Sequence, residues 1–163
     1  MLATSSSIAE GQPSHADTLL KRLYNWGSSF GESRATIRAK MGTPASVKTS
    51  TSANRYTPTT DTVTLMTYPG LDFLLTRAGT DGREFLMDVG VTAGQVELPV
   101  DVRIGKTTHT SLVGLLGPAK SEQAFGDTVV AGFAIPGDET GEVIQFYFRA
   151  DTLRKVRWVF YVD

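Results

Sequence analysis

One arrangement of glycine, hydroxyl and proline residues occurs twice in the chain, at Phe30–Pro44 and at Ile104–Pro118. Each copy starts with an apolar residue and a glycine. A hydroxyl side chain two positions later can accept a hydrogen bond from the free N–H groups of a helix start. Each copy ends in a glycine followed closely by proline, which is typical of a helix end. The predicted caps are Ser33 and Gly42 in the first copy, and Thr107 and Gly117 in the second.

The segments downstream of the two copies share further landmarks in the same order. An Asp-Thr-Val tripeptide at residue 61 opens a segment that ends at Pro69-Gly70, and the same tripeptide at residue 127 opens one that ends at Pro136-Gly137. Several matches in one order favour an internal duplication. We therefore predict an α+β fold of two tandem helix-plus-antiparallel-strands repeats, forming one sheet with helices on one face.

These landmarks also divide the chain. Residues 1–13 are small and polar, which predicts a disordered N-terminal segment. Residues 14–27 open with the Ser-x-x-Asp spacing of a capping box and carry leucines at helical intervals, so they are predicted to form an N-terminal helix. Repeat 1 is placed at residues 28–92, a linker at 93–101 and repeat 2 at 102–163, with both repeats expected to form one domain.

Alternation of apolar and polar residues predicts which face of each strand is buried. In the last two strands the predicted core face carries Ile144, Phe146, Phe148, Val156, Trp158, Phe160 and Val162. The opposite face, which we call the open face because no helix is expected to cover it, carries Gln145, Tyr147, Arg149, Arg157, Val159 and Tyr161. In the first half the open face is predicted to carry Asp72, Leu74, Thr76, Leu86 and Asp88.

Composition argues against several classes of protein. A net charge of −1 gives no electrostatic basis for binding nucleic acid or an anionic membrane. No apolar run approaches the roughly 20 residues that span a bilayer. The absence of cysteine removes disulfides, thiolate nucleophiles and zinc–thiolate sites. The first residues lack the basic and apolar regions of a signal peptide, so a cytoplasmic protein and the mature form of an exported one both fit.

The common catalytic and cofactor motifs are missing. Gly-x-Ser-x-Gly and His-Glu-x-x-His do not occur. The segment Gly105–Thr107 resembles the end of a phosphate-binding loop but lacks the preceding glycine. The two histidines, His15 and His109, are expected at the surface. We therefore predict no cofactor and no metal.

Two groups of carboxylates are candidate sites, one for acid–base chemistry and one for a cation. Asp72 and Asp88 would form an acid pair if both lie on the open face, and Asp138, Glu139 and Glu142 could bind a cation in a loop. The loop lacks the Asp/Asn-Gly ladder of a calcium site, and solvated carboxylates on strands and turns are the commoner case.

The aromatic and basic residues of the last hairpin are the candidate binding site. They are Tyr147, Arg149, Arg157 and Tyr161, all predicted on the open face. Tyrosine and arginine are over-represented among residues that carry binding energy at protein interfaces. A half-solvated antiparallel sheet with no binding role would also place such residues there.

The glycine–hydroxyl–proline pattern resembles the repeat of the SmpA/OmlA family of bacterial outer-membrane lipoproteins. The residues that match are Ile104, Gly105, Lys106 and Thr107, with Leu116, Gly117 and Pro118. Two such repeats over residues 28–163 look like the β-lactamase-inhibitor-protein fold. The resemblance implies an exported bacterial protein that binds another protein through its sheet face or its loops. The chain differs from both groups in having no cysteine.

The leading hypothesis is a non-enzymatic, extracytoplasmic protein-binding module, either an assembly factor of the bacterial envelope or a protein inhibitor. Its partner is expected to be another protein rather than nucleic acid, and its location periplasmic or secreted, with the cytoplasm as an alternative. Two other functions stay open. One is small-ligand binding in a pocket between sheet and helices, and the other is an enzyme that uses the open-face carboxylates.

Overall fold

A computed structural model describes residues 13–161, and all eight strands found there belong to one antiparallel sheet. Three helices accompany the sheet in this part of the chain. In chain order the elements are α1 (His15–Ser28), α2 (Arg34–Met41), β1 (Ser46–Ala53), β2 (Thr60–Tyr68), β3 (Leu71–Arg77), β4 (Glu84–Val91), α3 (His109–Leu116), β5 (Ser121–Phe125), β6 (Thr128–Ala134), β7 (Val143–Arg149) and β8 (Thr152–Val159).

The strand order in the sheet is β1-β2-β3-β4-β8-β7-β6-β5. Consecutive strands pair as hairpins within β1–β4 and within β5–β8, and β1 and β5 form the two edges. The central junction pairs β4 with β8, between residues far apart in sequence. This junction is short, because only Asp88–Val91 of β4 pair with Val156–Val159 of β8.

The prediction of two tandem helix-plus-strands repeats is wrong, although the α+β class is consistent with the structure. A single eight-stranded sheet with three helices replaces the inhibitor-like, two-repeat architecture. The edge strand β5 is the main element that the predicted plan lacked, and β1 forms the opposite edge of the sheet. Every residue of both strands is exposed, so neither has the apolar alternation by which sequence reveals a half-buried strand.

Helix α1 belongs to the common core rather than standing beside it. Its buried residues Leu19, Leu20 and Leu23 join one apolar cluster with Ile37 of α2 and Leu112 of α3. The same cluster contains the buried face of the strands, so all three helices cover one face of the sheet. The predicted disordered segment, apart from Pro13, and the predicted core residue Val162 lie outside the described residues.

The face predictions for the last hairpin are confirmed within the described residues. Six predicted core residues are buried there, namely Ile144, Phe146, Phe148, Val156, Trp158 and Phe160. In the first half, Leu86 was assigned to the wrong face. The consecutive residues Leu74 and Leu75 of β3 pair with Asp88 and Leu86 of β4. Met87 between them has no partner in β3 and forms a β-bulge. This bulge turns Leu86 into the core, where it is 7% exposed.

The helix caps are largely where the glycine and hydroxyl residues predicted them. The Ser33 hydroxyl oxygen accepts a hydrogen bond from the Thr36 N–H at the start of α2. Gly42 and Gly117 end α2 and α3 with φ of 79° and 80°, values that L side chains rarely adopt. The Thr107 cap is wrong by one residue. Thr108 caps α3, whereas the Thr107 hydroxyl oxygen accepts a 2.8 Å hydrogen bond from the Arg103 N–H in the preceding turn.

Candidate functional site

Polar side chains gather on the open face at the junction of β4 and β8. Asp72 of β3 lies opposite Gly90 of β4, Gly90 lies opposite Arg157 of β8, and Arg157 lies opposite Gln145 of β7. We name the open-face cluster as Asp72, Asp88, Gln145, Tyr147, Lys155 and Arg157. All six side chains are half-buried, because neighbouring strands on both sides shield them from solvent.

An ion pair spans the junction diagonally. Arg157 Nη2 donates to Asp88 Oδ2 at 2.6 Å, and the two side chains are 34% and 13% exposed. Burial alone would lower the pKa of Arg157. Hydrogen bonds to Asp88 and Tyr147, together with attraction to Asp88, outweigh that effect and raise the pKa above its ordinary value. The guanidinium is charged at any physiological pH, and its contact with Asp88 restrains its position.

Tyr147 and Lys155 complete the cluster. The Tyr147 hydroxyl donates to Gln145 Oε1 at 3.0 Å, and the Lys155 ammonium lies 5.8 Å from the centre of the Tyr147 ring. Lys155 also crosses Gly90 so closely that a Cβ on residue 90 would lie 3.3 Å from Lys155 Cε. The glycine in β4 leaves room for this aliphatic stem to lie along the sheet.

The structure brings two of the four predicted binding residues together and leaves the other two at opposite ends of the hairpin. Tyr147 and Arg157 lie together in the open-face cluster. Arg149 lies at the end of β7 and forms an exposed ion pair with Asp127. Tyr161 lies beyond the end of β8, 56% exposed.

Sequence reasoning missed Lys155 as a member of the cluster. Tyr147 pairs with Lys155, but the following residue Phe148 pairs with Leu153, so Arg154 is an extra residue in β8. Strict alternation along the strand does reach Lys155 from Arg157. The prediction of the site favoured tyrosine and arginine, the residues common at interfaces, and therefore left out this lysine.

The two open-face carboxylates, Asp72 and Asp88, have different neighbours. Asp88 is engaged by Arg157, whereas Asp72 lies opposite Gly90. His109 is half-buried rather than solvated, with its ring against Phe148 at 5.3 Å between centres.

The acidic loop is held together by its own hydrogen bonds. The Asp138 carboxylate accepts bonds from the Thr140 N–H, the Thr140 hydroxyl and the Glu142 N–H. These bonds lower the pKa of Asp138, the Thr140 hydroxyl contributing most. Residues 13–161 contain no group of three or more His, Asp or Glu side chains arranged to hold a metal ion.

Comparison with known proteins identifies the fold alone. No family model matches the sequence, and no curated protein matches it. A solved structure that is similar is YjgB of Bacillus subtilis, a DUF4309 family protein. It superposes with a TM-score of 0.54 at 16% identity, covering 90% of this chain and 99% of YjgB. No helix in the described part of the chain is long and apolar enough to cross a membrane.

Proposed function

We propose that this chain is a non-enzymatic protein-binding module that docks its partner on the open face, with Tyr147 and Arg157 at the centre of the contact. The observation that carries the proposal is the 2.6 Å ion pair that holds Arg157 to Asp88 on the uncovered face. Binding costs conformational entropy whenever it immobilises a long side chain. Here the fold itself has already restrained the arginine.

The size and character of the face fit a protein partner. Eight strands spaced about 4.8 Å apart give a surface roughly 35 Å wide. That width accommodates the approximately 800 Å² that each partner buries in a typical stable interface. Half-buried apolar side chains flank the polar cluster, including Leu65, Leu74 and Val159. A mixture of aromatic, aliphatic and arginine side chains is typical of interface centres.

Arg149 and Tyr161 take a peripheral role in this proposal. The Arg149 ion pair with Asp127 is exposed at both partners. Exposed ion pairs contribute little, so this arginine is free to exchange Asp127 for a partner carboxylate at small cost. Tyr161 is expected to contact only a partner that reaches past the end of β8.

The envelope part of the proposal rests on the resemblance to the SmpA/OmlA family. It makes the partner a protein of the bacterial envelope and the chain an assembly factor or an inhibitor outside the cytoplasm. Nucleic acid is not the expected partner, because the net charge is −1.

The test begins with photo-crosslinking in envelope extracts, using a crosslinker at Gln145 on the open face or at Lys21 on α1. A partner that reacts only from Gln145 is then purified, and its affinity is measured for Tyr147→Ala and the parent. The proposal predicts a loss of about 2 kcal/mol or more, or roughly thirtyfold in Kd. Tyr56→Ala is the matched control, because Tyr56 is 94% exposed and outside the cluster.

Two results would contradict the proposal. One is crosslinking from Lys21 with none from Gln145. The other is unchanged affinity for Tyr147→Ala together with loss of binding when loop 136–141 is replaced, which would move the site to the loop.

A further inference from the structure

A cavity of about 390 Å³ lies where α1, the start of β4 and the end of β8 meet. It exists because the central strands stop pairing there. The ladder between β4 and β8 ends at Asp88, and one further hydrogen bond of 2.9 Å runs from the Phe160 N–H to the Met87 oxygen. Strand β4 begins earlier, at Glu84, so its first residues have no partner in β8. Helix α1 covers the resulting gap from the side of the core, with Tyr24 and Ser28 at the cavity wall.

Aromatic rings make up much of the wall. Tyr24, Phe85, Phe160 and Tyr161 all line the cavity. Phe160 is buried, and its ring meets Tyr24 edge-on at 6.0 Å between centres. The faces of such rings carry the negative part of the ring quadrupole, which attracts organic cations.

A carboxylate faces the same space. Glu142 lines the cavity beside Tyr24. The pKa of Tyr24 is raised to about 12. Burial contributes most, followed by a hydrogen bond to Glu142 and by the negative charges of Glu142 and Asp138. The Tyr24 hydroxyl is therefore neutral in the physiological range. Glu32 adds a second carboxylate at the wall, so negative charge outweighs the single arginine there, Arg83.

That arginine already shows what the wall attracts. The Arg83 guanidinium lies over the Phe85 ring, 4.8 Å from its centre. Among residues 13–161, its one carboxylate contact is a long one of 3.9 Å from Arg83 Nε to Asp81 Oδ2, and its side chain is 67% exposed. A side chain held so weakly can be displaced by a ligand with the same chemistry.

We propose that this cavity binds an organic cation, a guanidinium or alkylammonium group, between its aromatic rings with Glu142 as the counter-charge. The volume suits a group the size of one amino acid. The cation can be a free small molecule or the basic side chain of a peptide. The inference does not depend on the open-face proposal, since a different set of contacts forms the site.

The experiment is an NMR titration of the full chain with Nα-acetylarginine amide, called arginine amide below, and with Nα-acetylcitrulline amide, called citrulline amide below. Acetylation removes the α-amino charge from both compounds, so the second is a neutral analogue of nearly equal shape. Arginine amide is expected to shift the signals of Tyr24, Phe85 and Tyr161. Citrulline amide should bind at least about tenfold more weakly, because it lacks the charge that Glu142 and the rings attract. Equal binding of the two amides, or no shift at these residues, would overturn the proposal.

Three variants test which side chains of the cavity select the cation. Glu142→Gln should weaken arginine amide binding about tenfold through loss of a charge-assisted contact. Glu139→Gln is the matched control, because Glu139 is exposed in the same loop and does not line the cavity. Arg83→Gln should strengthen binding, since it removes the internal competitor for Phe85. Parent-like affinity in both Glu142→Gln and Arg83→Gln would show that the cavity does not select cations.

A capped Gly-Arg-Gly peptide and tetramethylammonium separate the two sources of the cation. Stronger binding of the peptide than of arginine amide assigns the cavity to a basic side chain of a partner. Binding of tetramethylammonium and arginine amide without the peptide assigns it to a free small cation. If none of the three cations binds, the proposal fails, while the open-face proposal keeps its own test.

Discussion

The indole N–H of Trp158 in β8 donates a 2.9 Å hydrogen bond to the main-chain oxygen of Leu23 in α1, and both residues are buried. The same indole ring lies directly below Gly27, one helical turn further along α1. A Cβ on residue 27 would lie 2.5 Å from the ring. The position of α1 on the sheet is therefore set by one tryptophan and by the absence of a side chain above it.

The first prediction compares two helical glycines. Gly27→Ala should destabilise the fold by about 1–3 kcal/mol, because the methyl group forces the ring or the helix to move. Gly114→Ala in α3 should stabilise it by about 0.5–1 kcal/mol, because alanine loses less backbone entropy on folding. Nothing lies within 4 Å of the Cβ position of Gly114. Urea denaturation measures both, and equal effects in the two variants would contradict the close packing of Trp158.

The second prediction concerns the cap of α3. Thr108→Ala should cost roughly 1 kcal/mol of folding free energy, because its hydroxyl oxygen accepts the 3.2 Å bond from the Ser111 N–H. Thr110→Ala, an exposed change in the first turn of α3, serves as the control and should cost nothing. Denaturation midpoints decide the outcome, and a larger loss for Thr110→Ala than for Thr108→Ala would rule out the cap.

The third prediction tests the ion pair of the open-face cluster. In a double-mutant cycle with Asp88→Ala and Arg157→Ala, the coupling energy should be roughly 1 kcal/mol, reduced from a buried pair because Arg157 is 34% exposed. The same cycle on Asp127 and Arg149, an ion pair exposed at both ends, should give a smaller coupling. Both cycles use thermal or urea unfolding. The reverse order of the two couplings would mean that the junction does not fix Arg157.

The fourth prediction concerns the response of loop 136–141 to low pH. The pKa of Asp138 is lowered below its reference value of 3.8 by its hydrogen bonds, the one from the Thr140 hydroxyl first. Because the pKa of Asp138 is lower in the folded protein than in the unfolded chain, ionisation of Asp138 favours the ordered loop above pH 3.8. This stabilisation is lost as the pH falls through the pKa of the folded state. The Thr140 and Glu142 amide signals should therefore titrate in NMR with a midpoint below 3.8. Asp138→Asn should abolish that titration, and a midpoint above 3.8 would contradict the hydrogen-bonded loop.

Sequence alone predicted the elements whose residues alternate strongly or are bounded by glycine. The hairpin of β7 and β8 is the best case, because aromatic residues at every second position can be buried on only one face. Gly42 and Gly117 marked the helix ends because their positive φ is rarely open to other residues. Ser14 and Asp17 gave the start of α1 through their capping box.

The rest depended on information that does not repeat along the chain. The bulge at Met87 reverses the facing of Leu86, and no local residue marks it. Strand β5 has five exposed residues and is a strand only because β6 pairs with it. The open-face cluster combines strands from both halves, so Asp88 and Arg157 meet only once β4 has paired with β8. Sequence reasoning selected Arg157 without its partner.

The composition of β1 affects how copies of this protein meet in concentrated solution. This edge strand presents eight exposed residues, Ser46–Ala53, among which Val47 is the large apolar exception. Two such edges that pair would gain main-chain hydrogen bonds but would cover mostly hydroxyl groups and small methyls. Lys48 would add charge repulsion when two like edges approach. Edge-to-edge association of copies into fibres is therefore only weakly favoured. Replacing Ser50 and Ser52 with valine should promote pairing of β1 edges and aggregation.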